Sequence, residues 1–133
     1  MPATPRPTSS DQHHQYVLIL SHDALAAALL GGLVETLGYE VHFRRPPETP
    51  ENCLRRLRPK ICLVDCGDPI SCREEFLART AMRGVCVVIF GTREALDRVR
   101  EMAATHRIET LLMPPTLSEV EAVLQRAGGS EWD

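Results

Sequence analysis

No apolar run in this chain comes near the roughly 20 residues that a helical membrane span needs. There is no basic excess either. Lys and Arg number 15 against 18 Asp and Glu, a formal net charge of −3. The basic footprint that nucleic-acid binding usually leaves is therefore missing. Residues 1–10 hold three prolines and no apolar stretch, which argues against a secretory signal and makes the cytoplasm the expected compartment. The five cysteines, Cys53, Cys62, Cys66, Cys72 and Cys86, are odd in number. Without export they do not suggest a disulfide framework. There is no G-x-G-x-x-G after the first apolar run, no P-loop, no nucleophile elbow and no internal repeat. These absences point away from membrane proteins, direct nucleic-acid binders, disulfide scaffolds, nucleotide-binding enzymes and serine hydrolases.

What is present suits one globular domain. The chain has 133 residues, enough for one domain and too few for two, and 44% are apolar. Residues 1–14 read as a flexible tail carrying His13 and His14, residues 15–127 as the domain, and residues 128–133 as a frayed end. Short apolar runs alternate with helical patterns. The runs are Tyr16 to Leu20, Glu40 to Phe43, Ile61 to Val64, Val85 to Phe90 and Ile108 to Met113. Runs apolar on both faces fit parallel strands covered by helices on both sides.

The helical segments carry their own punctuation. Asp23 to Leu37 sets Leu25, Leu29, Leu33 and Leu37 four apart, with Gly38 as the stop. Gly31 and Gly32 fall mid-helix, where they serve close packing better than phosphate binding. Thr49 caps a second helix with Pro50 at its first position, ending before Pro59. Ser71 to Met82 is a third, with Phe76 and Leu77 inward. Thr92 caps a fourth, with Leu96, Val99 and Ala103 buried. Thr116 and Glu119 form a capping box for the fifth, with Leu117, Val120 and Leu124 inward.

This β-α unit repeated five times predicts an α/β fold: a single flavodoxin-like (βα)5 doubly wound domain with a parallel five-stranded sheet in order 2-1-3-4-5. In such sheets function gathers at the carboxyl ends of the strands. Those positions are Ser21, His22, Asp65, Cys66, Gly91, Thr92, Met113 and Pro114.

The segment Arg58-Pro59-Lys60-Ile61-Cys62-Leu63-Val64-Asp65-Cys66-Gly67-Asp68-Pro69 resembles the phospho-acceptor region of response-regulator receiver (CheY-like) domains. There an Asp ends the third strand and a proline follows four residues later. Leu18 to Asp23 and the following helix to Tyr39 resemble the family's first β-α unit. Thr92 to Met102 resembles its fourth helix, and Leu111-Leu112-Met113-Pro114 its fifth-strand exit. The resemblance makes Asp65 the phospho-acceptor position and predicts a cis Met113–Pro114 bond. It also shows departures. The acidic pair that holds Mg²⁺ falls on Ser21 and His22, a poor donor pair for a hard cation. Asp23, one place on, is expected to open the first helix instead. The phosphate-pairing lysine falls on Met113. The switch hydroxyl falls on Gly91, with Thr92 next, and the switch aromatic on Thr110.

The resemblance therefore implies a two-component (phosphorelay) signalling module, and the departures make the expectation a pseudo-receiver that is not an enzyme, holds no cofactor and works by protein contacts. The alternative is a working phosphoreceiver taking a phosphoryl group on Asp65 from a histidine kinase, with Mg²⁺ as its cofactor. The expected partner is a signalling protein or a fused effector domain, with no direct nucleic-acid or membrane contact. The fourth helix–fifth strand–fifth helix face, with Arg93, Glu94, Asp97, Arg98, Arg100, Glu101, Glu119 and Glu121, is either an ordinary solvated surface or a homodimer face. A redox or metal role is the rival from another class. Cys62-x3-Cys66-x5-Cys72 has no recognised zinc spacing, Cys62 points into the core, and Asp65 disfavours a Cys66 thiolate. His42 and His106 read as surface residues.

Overall fold

A computed structural model describes residues 16–129; the expected N-terminal tail with His13 and His14, and residues 130–133 of the C-terminal one, lie outside the described residues. Five strands, β1 (Tyr16–Leu20), β2 (Glu40–Phe43), β3 (Ile61–Asp65), β4 (Cys86–Gly91) and β5 (Glu109–Leu112), alternate with five helices. The helices are α1 (Ala24–Thr36), α2 (Pro50–Leu57), α3 (Glu74–Met82), α4 (Arg93–Thr105) and α5 (Leu117–Gly129). The strands form one parallel sheet in order β2-β1-β3-β4-β5, as the sequence predicts. Among the described residues no helix is long and apolar enough to cross a membrane.

The central strands β1, β3 and β4 are buried almost throughout, whereas the edge strands β2 and β5 are largely open. Alternation splits the core into two layers. Val17, Ile19, Ile61, Leu63, Val88 and Phe90 face α1 and α5. Leu18, Leu20, Cys62, Val64, Val87 and Ile89 face α2, α3 and α4. A run that is apolar at every position is what a strand covered on both sides requires.

The caps hold. Asp23 accepts from the Leu25 and Ala26 amides, Thr49 from Asn52, and Thr92 from Ala95. Thr116 and Glu119 exchange the two bonds of the capping box. Gly38, with φ +96°, follows α1 in the left-handed region that an L side chain resists.

Several expectations are corrected. The leucine stripe of α1 is not its buried face. Leu25 and Leu29 are exposed, and the buried set is Ala27, Leu30, Gly31 and Val34. Residues four apart drift by about 40° per step around a helix, so a four-spaced row winds off the core. Leu33 and Leu37 do reach it. Leu117, expected inward, is also exposed, since it is the first residue of α5 and precedes the seam begun by Val120. α3 begins at Glu74 rather than Ser71, because Ser71 is tied to Asp68 in the preceding loop. α5 continues through Gly128 and Gly129. His42 and His106 are partly buried and paired, to Glu40 and Glu74 at 2.9 Å each.

The two mid-helix glycines differ. A Cβ at Gly31 would lie 3.0 Å from the Phe43 ring, whereas at Gly32 it meets nothing within 4 Å. Gly32→Ala is therefore expected to stabilise the chain by about 0.5–1 kcal/mol through helix propensity. Gly31→Ala is expected to lose that gain to the crowding with Phe43. Urea unfolding of both variants checks the difference.

Candidate functional site

The carboxyl ends of β1, β3, β4 and β5 meet in a shallow pocket of about 230 Å³, lined by His22, Asp65, Cys66, Gly91, Thr92 and Met113 among others. Asp65 is the last residue of β3 and pairs in register with Phe90 of β4. It is buried, and its carboxylate is bonded on both oxygens. Oδ2 accepts from Ser21 Oγ at 2.7 Å, and Oδ1 from the Gly67 amide at 2.8 Å. His22 Nδ1 stands 3.9 Å from Oδ2, with its side chain half exposed.

Ser21 is held in this role from both sides. Its oxygen accepts the Asp23 amide at 3.0 Å, and its one proton goes to Asp65. Asp23 lines the same pocket as Asp65. Its Oδ1 serves the first amides of α1, as expected of an acid at a helix N-terminus.

The donor set is a poor match for Mg²⁺ as it is bonded in this structure. The ion takes oxygen ligands in near-octahedral order, mostly carboxylate and water. Here the His22 imidazole and two carboxylates, Asp23 and Asp65, line the pocket, with Asp23 Oδ1 engaged by the first amides of α1 and both Asp65 oxygens already bonded, Oδ2 by the Ser21 hydroxyl. Among the described residues no group of three or more His, Cys, Asp or Glu is placed to hold a metal.

The end of β4 is shaped by two residues together. A Cβ built on Gly91 would collide with Cys66 Sγ. The thiol of Cys66 thus fills the room that a side chain at residue 91 would need, and Gly91 keeps it clear. Burial, then the Asp65 carboxylate, pushes the Cys66 thiol up from its ordinary pKa. Burial pushes Cys72 up to about 11, with Cys66 a smaller cause. Both shifts disfavour the thiolate that metal binding or redox chemistry needs.

Thr92 does not substitute for the missing hydroxyl by standing free. Its Oγ1 accepts the Ala95 amide at 3.3 Å as the cap of α4. Met113 donates its amide to the Gly91 carbonyl at 2.9 Å, packs its side chain partly against the α1–α5 layer, and precedes Pro114 through a cis bond, as expected. Among the described residues no Lys or Arg lines the pocket. Thr110 is not part of it. It is exposed on β5 and lines a separate groove of about 330 Å³ against α4, beside Leu96, Arg100, Ala103 and Leu112.

Sequence reasoning missed the support beneath the loop that follows β3. Asp68 and Ser71 are fully buried. The Asp68 carboxylate accepts from the Ile70 amide and from Ser71 Oγ, both at 3.0 Å, and its amide returns to the Asp65 carbonyl. The only signal was an Asp three residues before a Ser inside a proline loop, a common turn pattern.

No family model and no curated protein matches the sequence. Solved structures do match. The receiver domain of a sensor histidine kinase from Pseudomonas aeruginosa, with a magnesium ion coordinated in its active-site cleft, is 23% identical, with 87% of this chain and 98% of that one covered at a TM-score of 0.68. The chemotaxis response regulator CheY4 of Vibrio cholerae is 15% identical, with 84% and 97% covered at 0.65. A response-regulator receiver domain protein from Clostridium thermocellum is 16% identical, with 88% and 96% covered at 0.70. The chain has the fold of CheY-like receiver domains.

Proposed function

We propose that this chain is a receiver-type signalling module of two-component kind that works without phosphorylation, through contacts with a signalling protein or a fused effector domain. One observation carries the reading. The Asp65 carboxylate sits at the acceptor place, but its Oδ2 is occupied by the Ser21 hydroxyl at 2.7 Å. Phosphoryl transfer relies on positioning and charge neutralisation. A hydroxyl, an imidazole and a methionine offer little of either. On this reading the chain is not an enzyme, and the cytoplasm is where a partner kinase or effector would meet it.

The test uses the full chain with Mg²⁺ and a small phosphodonor, or with beryllofluoride. No adduct is expected by intact-protein mass spectrometry, and no shift in melting temperature. An adduct on Asp65 that disappears in Asp65→Asn would favour a working phosphoreceiver instead.

A further inference from the structure

Two helices end at the edge of the sheet opposite Asp65. α2 stops at Leu57, just before β3, and α3 at Met82, just before β4, and those two strands are paired. Between the helix ends lies a groove of about 360 Å³. Leu54, Pro59 and Val85 give it an apolar floor, and Arg55, Arg58 and Arg83 stand exposed along it. Among the described residues no Asp or Glu lines it.

These three arginines are uncompensated. Arg56, Arg73, Arg79 and Arg126 each pair with a carboxylate. Among the described residues no carboxylate pairs with Arg55, Arg58 or Arg83, and Arg55 donates to the neutral Asn52 side chain at 3.0 Å. The whole chain has a net charge of −3, so this groove runs against its overall sign. A cleft lined by one sign of charge over apolar walls focuses its field on a ligand of the other sign.

Helix dipoles explain only part of the cluster. Cations near a helix carboxyl end complement the macrodipole. Arg56 in the last turn of α2 and Arg79 in that of α3 already do so. Arg58 is an independent observation. As the residue that caps α2 it has φ +49°, in the left-handed region where glycine is the ordinary choice. An arginine holds that position against the backbone preference, and its guanidinium bonds nothing among the described residues.

The lining also selects among anions. Guanidinium groups match carboxylates and phosphates alike. The two helix carboxyl ends carry partial negative charge, which opposes a dense phosphate, while their last carbonyls suit the N–H donors of a peptide. The apolar floor gives a phosphate nothing and gives an aliphatic side chain a place to be buried. Met82, 86% exposed, ends α3 next to Arg83. A surface with Arg and Met and without Lys, Asp or Glu has the composition of a protein interface. We infer that this groove docks an acidic, partly apolar peptide segment of a partner protein, its carboxylates on Arg55, Arg58 and Arg83 and its apolar side chains on Leu54, Pro59 and Val85. Such docking rests on the reading of the chain as a module that works through protein contacts, and not on the chemistry at Asp65.

Titration of the ¹⁵N-labelled full chain with a short synthetic peptide of Glu and Leu, to about 1 mM, tests it by NMR, since a contact this small binds weakly. Amide shifts are expected within residues 54–60 and 80–85, and not at Asp65 or along α4. The same peptide with Gln for Glu is expected not to bind, and added salt to weaken the binding. Arg58→Gly suits the left-handed cap. It is expected to weaken binding about two- to fivefold while melting no lower than wild type, a separation that a structural role for Arg58 would not give. Arg55→Glu with Arg83→Glu is expected to abolish binding, and Arg100→Gln on α4 to leave it unchanged. No binding to the top of the range, an equal response to the Gln peptide, or binding that survives the double variant overturns the proposal. Tighter binding of inorganic triphosphate or of an oligonucleotide than of the peptide also overturns it, in favour of a phosphate ligand. An adduct on Asp65 would overturn phosphorylation-independence and leave the peptide result standing, so the two readings fail separately.

Discussion

A variant carrying Ser21→Asp, His22→Asp and Met113→Lys is expected to take a phosphoryl group on Asp65 at least about 10³ times faster than the wild-type chain, with Mg²⁺ and a small phosphodonor present. The three positions lie at the ends of β1 and β5, where the resemblance places the metal-binding acids and the lysine. Each electrostatic partner restored is worth about 10²–10³ in rate, and the gains need not multiply. Ser21→Asp also removes the hydroxyl that now donates to Asp65 at 2.7 Å and puts a second carboxylate beside it. Like charges in close contact destabilise each other unless a cation intervenes. The variant should therefore melt higher with Mg²⁺ than without it, a dependence not expected of the wild type. Labelling followed by intact-protein mass spectrometry, with Asp65→Asn in the same background as control, measures the rate. If the variant stays inert, the fault moves to the Cys66–Gly91 corner, where the thiol occupies the room of the absent hydroxyl.

Phe90→Ala is expected to cost about 3–5 kcal/mol of stability and about 10–20 °C in melting temperature. Phe90 is 1% exposed and among the largest fully buried side chains. It lies in the layer under α1 and α5, borders the pocket, and pairs in register with Asp65. Its carbonyl accepts the Cys66 amide at 2.9 Å, which fixes the first residue of the loop after β3. Removing the ring leaves a cavity that flanking strands cannot close, because the central sheet is braced on both faces. Leu25→Ala, at the 80% exposed position, is expected to stay within about 0.5 kcal/mol of wild type. Urea unfolding of the two variants, with unchanged slopes, separates the buried aromatic from the exposed leucine.

Much of the carboxyl edge was legible because it is written in local rules. Asp23, Thr49, Thr92 and Thr116 announced their helices as caps, and the structure uses each of them so. Asp65 announced itself as an acid ending an apolar run. The stripe of α1 was not legible in the same way. Leu25 and Leu29 look like core residues by type, yet the core takes Ala27, Leu30, Gly31 and Val34. Residue type ranks hydrophobicity, but only the azimuth of the helix on the sheet selects which side is covered.

The order of elements, the two-sided burial of the central strands and the missing charges at Ser21, His22 and Met113 were determined by the sequence alone, because periodicity, capping and residue chemistry are properties of neighbours along the chain. The tertiary structure decided what those residues do to one another. It placed the Ser21 hydroxyl on the Asp65 carboxylate across 44 positions. It set the Cys66 thiol over Gly91 and buried Asp68 with Ser71. It also left one side of α1 bare. Such contacts depend on strand register and helix rotation, which are fixed only when the whole core packs at once.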